Sequence, residues 1–110
     1  MHFKIAQYEL KIDDHQAQYL DETLRMQLGR YTPVIDLVTV NFKKDKDQFG
    51  QAVIHCGIEI DFYSQEKMTA SNTATTIEKS LYNAVSRAKR QLDRQRRANT
   101  RQSNPPYISK

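Results

Sequence analysis

Lys79, Asn83, Arg87, Arg90, Arg94, Arg97 and Arg101 recur at intervals of three and four residues. At about 100° per residue on a helix, they fall within about 80° of one another. All but Asn83 are cationic. Between Lys79 and Arg101 the chain carries eight basic residues and one acid, Asp93. That surplus exceeds the net charge of the whole 110-residue chain, +4, so the remainder is net acidic. Aligned like charges at these spacings repel and cost a helix stability. A polyanion relieves the repulsion, and phosphates do so with release of counterions. Arginine dominates the stripe, and its planar fork suits phosphate oxygens. The chemistry implied is neutralisation of a nucleic-acid backbone. The alternative is a merely solvated face, but such a face normally mixes signs, as Asp21, Glu22 and Arg25 do earlier in the chain.

Other chemistries find little support. Cys56 is the single cysteine, set in the alternation His55-Cys56-Gly57-Ile58-Glu59-Ile60, and reads as a small buried hydrophobe. His55 is its neighbour, but adjacent strand residues point to opposite faces. His2, His15 and His55 belong to different elements, and Asp13, Asp14, Asp21 and Glu22 read as cap and surface residues. There is no Gly-rich phosphate loop and no metal-ligand spacing. The expectation is a protein that is not an enzyme, with no catalytic residues, metal or cofactor. Met1-His2-Phe3-Lys4-Ile5 is not the start of a secretory signal, and no apolar run is long enough to span a membrane. A cytoplasmic protein is expected, with no membrane partner and no small-molecule substrate. There is no helix-turn-helix, zinc ligand set or zipper. Tyr8, Tyr19, Tyr31, Tyr63 and Tyr82 are dispersed rather than paired on one strand as stacking platforms. These features favour recognition of shape and backbone over sequence.

The elements that must position the stripe follow from periodicity. Phe3 and Ile5 alternate with His2, Lys4 and Ala6 as a short first strand, and Leu10 and Ile12 lie in a connector. Asp13 and Asp14 supply cap chemistry, and Ala17, Leu20, Leu24 and Leu28 recur at helical spacing. Gly29 suits a left-handed cap, and Pro33 stops continuation, so the first helix spans about 14–30. Val38, Val40 and Phe42 face one way in a strand over about 34–44, with Leu37, Thr39 and Asn41 on its other side. A charged turn, 43–50, reads as a solvated hairpin loop. Cys56, Ile58, Ile60 and Phe62 mark a strand over about 51–63. Lys67 to Ser71 is a short fourth strand with Met68 and Ala70 inward. Thr75-Thr76-Ile77-Glu78 fits a capping box for the second helix. Ile77, Leu81, Ala84, Val85, Ala88 and Leu92 share an arc of about 100° opposite the cations. If that helix reaches Arg97, the stripe is about 27 Å long.

The order is β-α-β-β-β-α. This is an α+β, two-layer sandwich with a four-stranded sheet and both helices on one face. The domain occupies residues 1–98, and 99–110, with Pro105 and Pro106, is expected to be a flexible tail.

This order resembles the ribosome hibernation-promoting factor family in its short, protein Y-like form. The resemblance covers residue 1 to about 97. It rests on Met1-His2-Phe3-Lys4-Ile5 with Leu10-Lys11-Ile12, on Tyr19-Leu20-Asp21-Glu22-Thr23-Leu24, and on Arg87-Ala88-Lys89-Arg90-Gln91-Leu92. Thr23 stands where the family has lysine, and Thr75-Thr76-Ile77-Glu78-Lys79-Ser80-Leu81 replaces the family's usual approach to the last helix. The resemblance implies a fold similar to double-stranded-RNA-binding domains. It also implies a stationary-phase, stress-linked translation inhibitor that docks on small-subunit rRNA and occludes the mRNA and tRNA channel. By position it supports Lys79, Arg87, Lys89, Arg90, Arg94 and Arg25 as RNA-binding residues, and the stripe adds Arg97. The expected partner is small ribosomal subunit rRNA, bound by a protein monomeric when free. Two rivals stay open: a general RNA- or DNA-binding accessory protein, and a module whose basic helix docks an acidic protein.

Overall fold

The computed structural model describes residues 1–7 and 10–103. Strand β1 (His2–Gln7) leads to helix α1 (Asp14–Leu28), a single 3-10 turn (Gly29–Tyr31), β2 (Ile35–Lys46), β3 (Ala52–Phe62), β4 (Lys67–Ala74) and α2 (Ile77–Ser103). The expected order is reproduced. The sheet order is β1-β2-β3-β4, with β1 parallel to β2 and the other pairs antiparallel. A helical crossover between neighbouring strands returns the chain in the same direction, so α1 makes the β1–β2 pair parallel.

Strand alternation sorts the sheet into two faces. Val38, Val40 and Phe42 of β2 stand opposite Ile60, Ile58 and Cys56 of β3, and Met68 and Ala70 of β4 complete the row; all are buried. Leu37, Thr39, Glu59 and Asp61, on the other face, are only partly covered. Both helices therefore lie on one side, with α2 over β3 and β4 and α1 beside α2. Ile35 is buried although it breaks the even-numbered pattern. The register shifts between Ile35 and Leu37, where an irregularity turns the strand by one residue.

Local chemistry sets the ends. Asp13 caps α1: its carboxylate accepts from Gln16 N at 2.7 Å, and Gln16 Oε1 accepts in return from Asp13 N. Gly29 does not form the expected left-handed cap. Its φ of −57° is right-handed, and the chain tightens into the 3-10 turn instead. Thr32 meets the Gly29 carbonyl with both its N–H and its hydroxyl, so the helix end is satisfied without a positive φ. The α2 cap is Thr76 rather than Thr75. The Thr76 hydroxyl accepts from Lys79 N at 3.1 Å, one residue later than the capping box predicts, and Lys79 in the third position cannot return the bond as Glu would. Strands β2 and β4 are longer than their alternation suggests, and α2 is helical through Ser103. Residues 104–110 lie outside the described residues.

Candidate nucleic-acid interface

Helix α2 is two-faced. Ile77, Leu81, Ala84, Val85, Ala88 and Leu92 are all buried against the sheet. Lys79, Arg87, Arg90 and Arg94 are exposed on the other side. Core packing thus fixes the rotation of the helix, and the rotation sets where the cations point. The flank nearest β4 is tied down as well: Asn83 Nδ2 donates to Asn72 Oδ1 at 3.3 Å and Arg87 Nη1 to the Ser71 carbonyl at 3.2 Å. A guanidinium has five N–H donors, so this contact leaves Arg87 further donors for phosphate.

Two of the sequence-derived residues stand apart from this row. Lys89 is half-buried, with Nζ 3.3 Å from Asp93 Oδ2. Asp93 also accepts from the Tyr31 hydroxyl, so Lys89 belongs to the flank of α2 that faces the end of α1. Arg25 lies on α1 over β1, its Nε 3.0 Å from Asp21 Oδ2 and its guanidinium 5.2 Å from the Phe3 ring centre. Thr23, where the resemblance expects a lysine, is buried and brings no charge to the surface. The backbone of Arg97 continues α2, but its side chain lies outside the described residues.

The helical layer has a groove of about 470 Å³ at its far end, where Arg30 and Arg96 flank a floor of Val34, Phe62 and Leu92. Periodicity along single elements does not bring this group together. Tyr31, which extends the Leu20-Leu24-Leu28 spacing by one turn, is the one signal in the residues that this end is packed. On the open sheet face, Lys67 Nζ lies 2.8 Å from Glu59 and 3.5 Å from Asp61. Hydrogen bonding to Glu59 raises the Lys67 pKa.

The Tyr31–Asp93 contact couples the two helices to pH. The hydroxyl bond from Tyr31, with Lys89 adding to it, holds the Asp93 carboxyl below its usual value. Burial first, and then the Asp93 carboxylate, raise the Tyr31 hydroxyl. A depressed carboxyl contributes stability that is full above its unfolded value near pH ~4 and is lost as pH falls through the folded one. Asp93→Asn keeps an acceptor and removes the charge. It should melt below the wild type at pH 7, and the gap should close as pH is lowered below about 4; paired thermal melts check this.

Chemistry of other kinds is weakly supported. Cys56 is fully buried, and burial pushes its thiol up to about 12, so it is a protonated core residue at neutral pH. His55 points to the opposite sheet face, its Nδ1 3.0 Å from Thr73 Oγ1. Among the described residues no cluster of three potential metal ligands occurs, and no helix is long and apolar enough to cross a membrane.

Residues 3–100 match the family described as Sigma 54 modulation protein / S30EA ribosomal protein. The chain belongs to this family. The S30EA family comprises ribosome-associated modulation and hibernation factors rather than a known enzyme class. Among solved structures, the fold is similar to a ribosomal subunit interface protein from Coxiella burnetii. The TM-score is 0.69 at 11% identity, over 87% of this chain and 98% of that one. A minor lipoprotein from Acinetobacter baumannii aligns with a TM-score of only 0.35 at 9% identity, over 90% of this chain and 94% of that one, too low to indicate a shared fold. Among curated proteins, none matches the sequence.

Proposed function

We propose that this S30EA-family protein docks the basic face of α2 on small-subunit rRNA and inhibits translation by occluding the channel for mRNA and tRNA. The observation that carries the reading is the opposition of two faces on one helix. Six apolar positions are buried while Lys79, Arg87, Arg90 and Arg94 remain exposed along the other side. Such a row meets a phosphate backbone with little rearrangement, and rRNA is the polyanion a ribosome-associated protein encounters. The name of the similar Coxiella protein refers to a ribosomal subunit interface, a location that suits a one-sided contact surface. Lys89 and Arg25 would contact RNA only from the flanks of this row, and Arg97 would extend it. No reaction is required; occupancy is the mechanism. The protein would act as a monomer in the cytoplasm, without a cofactor.

Sucrose-gradient sedimentation of stationary-phase extracts tests this. The protein should travel with ribosomal particles at low salt and move to the top as salt is raised. Recovery only at the top at low salt would overturn the reading.

A further inference from the structure

The β2–β3 hairpin extends past β4. β4 pairs only as far as Ile54, whereas the β2–β3 ladder continues to Lys46 opposite Ala52; among the described residues, β1 pairs with β2 as far as Phe42. Its turn is held by one side chain: Asp47 Oδ1 accepts from Phe49 N at 2.8 Å and Gln51 N at 2.9 Å. Two backbone bonds between Asp47 and the residues Gly50 and Gln51 close the turn, and Gly50 takes a φ of +79°, which glycine adopts without strain. At this tip Phe49 is 84% exposed.

The charges around that ring are arranged. Lys44 and Lys46 continue the alternation of Val40 and Phe42, so they lie on the helix-side face, beyond the end of the core. Lys44 is opposite Ile54, which is opposite Ala74, and α2 starts three residues later. The first cation of the stripe, Lys79, is therefore near the base of the hairpin. Asp45 is on the other face of the strand, and Asp47 is occupied by the turn. A single exposed apolar side chain is ordinary on a protein surface. Here it ends a pinned arm whose exposed Lys44 and Lys46 lie on the same side of the sheet as α2.

We propose that the hairpin is a second RNA contact, in which Phe49 stacks on an unpaired base while Lys44 and Lys46 meet the adjoining phosphates. This rests on the reading of α2 as the RNA-facing surface. An aromatic ring stacks on any base, so the contact needs no base-edge hydrogen bonds. Unpaired loop nucleotides of structured RNA offer such faces. The turn already orders the ring's backbone, which lowers the cost of forming the contact.

The test is equilibrium binding of the full chain to purified small ribosomal subunits at several salt concentrations. Phe49→Ala should weaken binding roughly ten- to a hundred-fold, within the range of one base stack. It should leave the salt dependence unchanged, because no charge is removed. Phe49→Trp, the sole tryptophan such a chain would contain, should retain affinity. Lys44→Ala with Lys46→Ala should flatten the salt dependence. Chemical probing of the bound rRNA should reveal a protected unpaired base that becomes reactive with Phe49→Ala while other protections persist. Phe49→Ala binding within two-fold of the wild type, with wild-type binding intact, overturns this inference alone. Failure of the wild-type protein to bind overturns both it and the interface reading.

Discussion

Replacing Arg87, Arg90 and Arg94 together by Glu should abolish binding to the small subunit, with a loss of at least about a hundred-fold at physiological salt. Each change removes a phosphate partner and installs a repelling carboxylate. If the three side chains make three phosphate contacts, removing them should lessen the slope of log affinity against log salt by about two to three. The fold should survive. All three residues are exposed and none belongs to the core arc. Arg and Glu have nearly equal helix propensities. Within the protein, the triple change breaks the Arg87 bond to the Ser71 carbonyl, an exposed hydrogen bond of modest worth. Circular dichroism and thermal melting should match the wild type within about 1 kcal/mol. Undiminished subunit binding by this folded triple variant would exclude the stripe as the contact surface.

The largest stability effect is expected at the opposite face of the same helix. Leu81 is fully buried where α2 meets the sheet. Leu81→Ala removes apolar packing and leaves a cavity, at about 2–5 kcal/mol. Small domains hold only about 5–15 kcal/mol in total, so this is a large fraction. The urea midpoint should fall markedly with little change in slope. Lys79→Ala, close by on the helix but exposed, should change stability by no more than about 0.5 kcal/mol. Subunit binding by Leu81→Ala should fall only as the unfolded fraction grows. A loss of affinity in a fully folded sample would show that α2 has shifted on the sheet.

Much of this architecture was legible in the residues. The six apolar positions of α2 are all core positions, because a 3.6-residue repeat leaves one rotation that buries them. The alternation at Val38–Phe42 and Cys56–Ile60 marks the covered face because strand side chains repeat every two residues. What was not legible depended on neighbours distant in sequence. The partner of β1 follows from how α1 packs, which no local pattern encodes. Thr75 and Thr76 are both competent caps, and a hydroxyl alone does not choose between them. Gly29 permits a left-handed cap without requiring one, and the Thr32 hydroxyl removed the need. A helical wheel gives angles about one axis but not what stands beside each flank. That is why the Tyr31 hydroxyl on Asp93 and the Phe3 ring beside Arg25 were hidden, whereas the Lys89–Asp93 and Arg25–Asp21 pairs, each four residues apart on one helix, are within reach of helical spacing. The exposure of Phe49 was hidden for a similar reason: a charged run around a turn reads the same whether or not it is pinned.

The bond from Arg87 to Ser71 has one more consequence. β4 is an outer strand of the sheet, and an outer strand with unpaired backbone groups is a template for a second chain. The Arg87 guanidinium sits on a β4 carbonyl, and Asn83 reaches Asn72 just beside it. A bulky, hydrated charge at that position obstructs edge-to-edge association between copies of the protein. If Arg87 also meets phosphate, as proposed above, solubility and ligand contact would draw on the same side chain.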